Sequence, residues 1–367
     1  MRVLLLSAYD AASHRSWHQS LIQGLVDFEW QLLSLPPRHF SWRVRGNPLY
    51  WSHQQRDVLE QPYDVVLATS MVDLATLRGL VPALAAIPTV LYFHENQFAY
   101  PQGQSKHGVI EAQVVSVYSA MAADCILFNS DYNRISFFQG VTALLDKLPD
   151  FVPPNLVAEL THKSQVLPVP VSVCTPSDGG LPTLRCDEPL QLVWNHRWEY
   201  DKGPEELLQL TERLIARQLR FTLHVVGQQF RTQPAEFEAV RMLLDKHGSL
   251  GCWGYVDERE QYLSLLRDCD VVLSTARHDF QGLSVLEACA LGCTPLVPDA
   301  LVYPEWFGRS FRYGNNDAAL ATIESWSHLK ATGQSLPQTD VSRLYVENLL
   351  PVYRTVLHSQ SQGNSVS

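Results

Sequence analysis

The feature that most restricts this chain is a series of short, unbroken apolar runs, separated by segments long enough for one helix each. Residues 3–7 (VLLLS), 30–33 (WQLL), 65–70 (VVLATS), 90–93 (VLYF) and 125–129 (CILFN) are such runs. A strand with one wet face alternates apolar and polar residues. An unbroken run fits a strand buried on both faces, as in a parallel sheet covered by helices. Residues 73–86 and 108–123 read as helices between those strands. The alternation predicts an α/β fold with helices on both sides of a parallel sheet.

The pattern stops at 168–189, PVPVSVCTPSDGGLPTLRCDEP, where five prolines and two glycines fit neither helix nor strand. This stretch is expected to be a linker. The pattern then resumes, with strands expected at 190–195, 221–226, 271–274 and 294–297, and helices at 204–217, 234–247, 258–267 and 283–291. A last helix is expected over 340–358, before a disordered tail at 359–367. The expected organisation is two doubly wound, Rossmann-like domains, 1–167 and 190–339, which suits a length of 367 residues. Ligands of open α/β sheets bind beyond the carboxyl ends of the strands. Two such domains facing each other are expected to form an interdomain cleft, and the residues just after strands are the candidates for chemistry.

Charge and cysteine content narrow the class. The net charge is −10, which argues against a generic polyanion binder, although a local basic patch stays open. No apolar run reaches the ~18 residues of a membrane span. The opening MRVLLLSAYD reads as a first buried strand rather than a signal peptide, so a cytoplasmic protein without membrane contact is expected. Seven cysteines without a C-x-x-C give neither a disulfide framework nor a zinc knuckle. Cys289 and Cys293 are expected to be buried free thiols.

Three stretches could carry chemistry. In STARHDFQGLSVLEACALGCTPLVPD, a strand ends at Ser274, a polar loop holds Asp279, and Gly282 opens an apolar helix whose one charge is Glu287. The free N–H groups at that helix start, around Gly282, Leu283 and Ser284, suit an anion. Two carboxylates beside them could accept hydrogen bonds from sugar hydroxyls. Equally, they could serve the helix dipole and an internal salt bridge. In WNHRWEYDKGPE, Arg197 and Lys202 lie between a strand end and a helix start, where two cations could neutralise a diphosphate or stand as solvated loop charges. In YFHENQFAYP, His94, Glu95 and Asn96 appear abruptly after a strand; a histidine there could exchange a hydrogen bond with a ligand or serve the surface. Ser13 and His14 follow the first strand. Residues 39–51, HFSWRVRGNPLYW, interleave Arg43 and Arg45 with Trp42, a mixture suited to unstacked bases or to an ordinary packed loop.

Taken together, these motifs resemble the retaining nucleotide-sugar glycosyltransferases of the GT-B architecture. That family's carboxylate-x7-carboxylate motif stands here as Asp279-Phe280-Gln281-Gly282-Leu283-Ser284-Val285-Leu286-Glu287, with Asp where Glu is usual and Gln281 where Phe is usual. Within that family, FHENQ at 93–97, FNSDYN at 128–133, NHRWEYDKGPE at 195–205 and LVYPEWF at 301–307 are similar to the tRNA-queuosine mannosyltransferases.

The resemblance implies mannose transfer from GDP-mannose to queuosine in the anticodon of tRNA-Asp, without a metal, by a monomer. It implies donor binding by Arg197, Lys202, Asp279, Gly282, Leu283, Ser284, Glu287, Ser13 and His14. It implies catalysis by His94, Asp279, Arg197 and Lys202. For the acceptor, Trp42, Arg43, Arg45, Glu95 and Asn96 are the expected contacts. Rival readings are a transferase of the same family acting on a lipid or polysaccharide, a nucleotide-sugar epimerase, and a non-catalytic binding module.

Overall fold

The computed structural model describes residues 1–99, 109–172 and 186–363. Cys174 and most of the expected linker, 173–185, lie outside the described residues, as do residues 364–367 of the expected tail. The chain divides into two compact units. One is Met1–Pro170 together with the chain from Leu344 onward; the other is Val171–Arg343.

The first unit holds a six-stranded sheet: β1 (Arg2–Ser7), β2 (Glu29–Ser34), β3 (Val65–Thr69), β4 (Thr89–Phe93), β5 (Cys125–Phe128) and β6 (Ser164–Val166), in the order β2-β1-β3-β4-β5-β6. Every pairing is parallel, from Arg2 opposite Glu29 to Phe128 opposite Val166. All residues of β3, β4 and β5 are buried, which is why they read as unbroken apolar runs. Strand β6, SQV, borders only β5 and is only partly buried; its polar residues gave no strand pattern. The last helix spans Val346–Gly363, starting and ending later than the 340–358 expected, so residues 359–363 are helical where a disordered tail was expected. It belongs to this unit because Tyr353 is buried in it. Trp17 Nε1 donates to the Tyr353 hydroxyl at 3.0 Å, and that hydroxyl donates to the Pro168 carbonyl at 2.9 Å.

The second unit repeats the plan with β7 (Leu190–Trp194), β8 (Phe221–Val226), β9 (Leu250–Gly254), β10 (Val271–Leu273), β11 (Thr294–Pro298) and β12 (Arg312–Tyr313), in the order β12-β11-β10-β7-β8-β9. The chain builds outward from β7 to β9, then returns to lay β10 against the other side of β7. The strand order therefore reverses between β7 and β10, and in the first unit between β1 and β3. These reversals open crevices at the carboxyl ends of the strands. Cys269, Cys289 and Cys293 are buried free thiols, as is Cys125 in the first unit. Among the described residues no helix is long and apolar enough to cross a membrane.

Candidate active site

At the β7/β10 reversal, two loops are tied into one another. Trp194 Nε1 donates to Thr275 Oγ1 at 2.8 Å, and that hydroxyl donates to the Lys202 carbonyl at 2.8 Å. The backbone N–H groups of Arg277 and His278 donate to the Asp201 carbonyl. Gly203 must be glycine: its φ is +67°, and a Cβ there would sit 2.0 Å from the Thr275 carbonyl oxygen. The short turn 200–202 therefore delivers Lys202 into the crevice just before the helix Pro204–Ala216 begins.

Lys202 is buried, and its Nζ donates to the His278 carbonyl at 2.7 Å. The same ammonium lies 3.4 Å from Asp201 Oδ2 and 3.7 Å from Asp279 Oδ2. A buried cation between two carboxylates is compensated without being fully saturated, so a ligand anion could still share it. Burial would raise the Asp279 carboxyl, but Lys202, His196 and the Gly282 N–H outweigh it and hold the group below the ordinary range. Gly282 N donates to Asp279 Oδ1 at 2.9 Å, and the Tyr303 hydroxyl donates to Oδ2 at 3.3 Å. Asp201 is held at about 2: burial opposes ionisation, and the His278 hydrogen bond and the Lys202 charge overcome it. The helix Leu283–Ala290 starts at Gly282, with the backbone N–H groups of its first turn open to a ligand.

Of the two roles the sequence left open for Glu287, the structure shows the internal salt bridge. Arg259 grips both of its oxygens, with Nη1 at 3.1 Å from Oε2, which satisfies the lone charge of the apolar helix. The carboxylate nevertheless keeps 15% exposure. Arg197 is half exposed and ion-paired to Glu199 at 3.0 Å, so any anion it binds competes with that carboxylate.

Sequence reasoning passed over Arg259, His196 and Tyr303. Arg259 lies 28 positions from Glu287 and meets it only through the sheet. His196 sits directly after β7 with Nε2 buried and without a hydrogen-bond partner among the described residues. Burial, then Lys202, pushes its pKa down to about 4.

The corresponding end of the first sheet is built from rings. His94 follows β4, is buried, and stacks on His14 with centroids 4.0 Å apart. Trp17 meets His94 edge-on at 4.7 Å. Burial, reinforced by His14 and His18, holds His94 well below the ordinary histidine range, and its Nε2 has no hydrogen-bond partner among the described residues. His14 Nε2 lies 3.3 Å from Glu95 Oε2, while His18 Nε2 lies 3.0 Å from Asp10 Oδ1. Ser13 is exposed in the first turn of the helix Ala12–Gly24.

Two expected acceptor contacts are occupied internally. Asn96 is buried, and its amide nitrogen donates to Asn133 and Ser136. Its oxygen accepts from the N–H groups of Phe98 and Ala99, so it shapes the loop instead of presenting a free amide. Arg45 is paired with the buried Asp73 at 2.5 Å and with Glu111 at 3.1 Å. Residues 39–51, read as a loop, form most of the helix Phe40–Gln54. Pro48 cannot donate to the Val44 carbonyl, and the Asn47 side-chain amide does so at 3.0 Å. Trp42 and Tyr50 are exposed, Arg43 is partly buried, and Trp51 is buried.

Residues 2–171 match the family model described as tRNA-queuosine alpha-mannosyltransferase N-terminal, and 184–331 match Glycosyl transferases group 1. The tRNA-queuosine alpha-mannosyltransferase of Drosophila melanogaster is 32% identical over 97% of this chain and 96% of its own length. The chain belongs to the tRNA-queuosine alpha-mannosyltransferase family. Solved structures extend the likeness of fold. Anabaena HepE in complex with UDP and glucose superposes with a TM-score of 0.66 at 15% identity, covering 98% of this chain and 100% of its own. The lipopolysaccharide outer core galactosyltransferase WaaB gives a TM-score of 0.60 at 13% identity, with 98% and 100% covered. Membership of this family makes the chain a glycosyltransferase of GT-B fold. Among the described residues, no group of three or more His, Cys, Asp or Glu side chains is arranged to hold a metal.

Proposed function

We propose that this chain transfers mannose from GDP-mannose to the cyclopentene-diol of queuosine at the wobble position of tRNA-Asp, with retention, without a metal, and as a cytoplasmic monomer. The observation that carries the reading is the end-to-end similarity to the Drosophila relative. The geometry supports it with a buried cation beside a helix start, the arrangement a leaving diphosphate needs.

In this reading, Lys202 and the N–H groups of Leu283 and Ser284 hold the diphosphate. Arg197 leaves Glu199 to join them. Glu287 accepts hydrogen bonds from the ribose hydroxyls, and Asp279 from the sugar hydroxyls. The bond between the mannose anomeric carbon and the diphosphate breaks, and a bond from that carbon to a diol oxygen forms on the same face. The diol proton passes to the leaving phosphate oxygen, and GDP departs, so no protein nucleophile is required. His94, held neutral by its buried setting, offers Nε2 to the sugar or the diol. Incubation with labelled GDP-mannose and bulk tRNA tests the reading. Label should enter tRNA that carries queuosine and be absent from tRNA that lacks it. Equal labelling of both, or of neither, contradicts it.

A further inference from the structure

The helix Phe40–Gln54 contains a glycine at 46, in its interior, where alanine would hold the helix better. The reason is a close approach. A Cβ on Gly46 would stand 2.5 Å from Trp42 Cε2 and 2.8 Å from both Cδ2 and Cζ2. The indole lies against the backbone one turn on from its own Cα, in space that any side chain at 46 would take. Trp42 nonetheless stays 57% exposed. It is a large ring pinned on one side and open on the other.

The charges beside it are not neutralised as others on this helix are. Arg45 is tied to Asp73 and Glu111. Arg43 instead donates Nε to the Pro36 carbonyl at 3.2 Å, and Arg38 is exposed in the turn leading into the helix. Neither Arg38 nor Arg43 has an acidic partner among the described residues. In a chain of net charge −10 this is a local cationic edge next to an exposed ring. The matching ligand presents a flat apolar face and a nearby phosphate.

We propose that Trp42, laid over Gly46, is a stacking platform for one unpaired base of an RNA loop, with Arg38 and Arg43 receiving the adjoining phosphates. The inference deepens the tRNA-acceptor reading and rests on it. Duplex RNA keeps its bases stacked and offers no face to the indole, whereas a loop base can be splayed out. Gly46 acts as a positioning residue: it sets the height of the ring and need not touch RNA.

The probes are an anticodon stem-loop of tRNA-Asp carrying queuosine, a fully paired RNA duplex of equal length, and GDP. Wild type should prefer the stem-loop to the duplex. Trp42→Ala should weaken stem-loop binding by about tenfold, the scale of one lost stacking contact. Gly46→Ala should weaken it by about fivefold while the melting temperature stays level or rises, because alanine favours the helix. GDP affinity should be unchanged in both variants. A glycine kept only for helix packing gives the opposite pattern, a changed melting temperature with normal RNA affinity, and that result overturns the platform. Duplex binding equal to stem-loop binding overturns it as well. If wild type binds neither RNA, the tRNA-acceptor reading fails first and the platform with it. If wild type binds the stem-loop and both variants match it, the platform alone fails.

Discussion

The carboxyl ends of the two sheets are made of opposite materials. In the second unit, the carboxylates of Asp201 and Asp279 each lie within 4 Å of the Lys202 ammonium, beside a helix start. In the first, stacked His14 and His94 lie against Trp17 and Tyr92, with histidine pKa lowered at His94 by burial. A diphosphate carries charge that must be met before and during bond breaking, and a fixed cation among dipoles suits it. A diol is neutral and suits an uncharged group that can accept or donate one hydrogen bond. The comparison teaches that two sheets of one plan can carry opposite chemistry at their loop ends, which is what the proposed function asks of a donor side and an acceptor side.

The strongest way to break the comparison is Lys202→Met. It leaves Asp201 and Asp279 without their cation, so it should lower turnover and GDP binding by about 2–4 kcal/mol. It should also lower the melting temperature, because a broken buried pair is costly. Unchanged GDP affinity in calorimetry would remove Lys202 from the donor site.

Next in size is acid sensitivity. The His196 pKa falls from 6.5 in the unfolded chain to about 4 in the folded one. The unfolded state therefore binds more protons between those values. The full stability is present above about pH 6.5 and declines as pH falls toward 4, by up to about 3 kcal/mol for this group. Asp201 adds its own loss in a lower window, from 3.8 down to about 2. His196→Asn should make the decline through the upper window shallower in denaturant titrations across pH, with the share of His94 remaining, and leave the lower window in place.

His94→Ala sharpens the comparison from the other side. Turnover should fall about a hundredfold, the scale of losing one positioned hydrogen-bonding group in the transition state. GDP affinity should hold, as read by turnover assays beside calorimetry.

The smallest expected effect is at Glu287. Glu287→Gln turns one acceptor oxygen into a donor and should weaken GDP binding by about 1.5–3 kcal/mol. Arg259→Met, which frees the carboxylate, should reduce stability more than GDP binding. Identical behaviour of the two variants would make Glu287 a purely internal partner.

Legibility followed burial. Strands β3, β4 and β5 are covered on both faces, so their residues had to be apolar throughout and the runs were plain. Strands β6, β9 and β12 read SQV, LGCWG and RY at the borders of their sheets, where half-burial does not demand an apolar run; β2, also at a border and mostly half-buried against the expectation of two buried faces, was legible only because it happens to carry WQLL. The helix over Gly46-Asn47-Pro48 looked broken because its missing hydrogen bond is supplied by a side chain. At the site, the Asp279…Glu287 spacing was visible because both residues belong to one loop and helix. Arg259, Tyr303 and His196 were not, because the folded sheet alone brings them to those carboxylates. Asn96 and Arg45 looked available because their partners, Asn133 and Asp73, are distant in sequence.

The central claim is that the charged loops serve the donor and the imidazole cluster the acceptor. Calorimetry of wild type, Lys202→Met and His94→Ala, each titrated with GDP and separately with queuosine-containing tRNA-Asp, beside turnover assays on the same tRNA, tests it most directly. The account predicts a crossed pattern: Lys202→Met loses GDP affinity and keeps tRNA affinity, while His94→Ala keeps GDP affinity and loses turnover on bound tRNA. Loss of GDP affinity in His94→Ala together with normal GDP affinity in a folded Lys202→Met would contradict it.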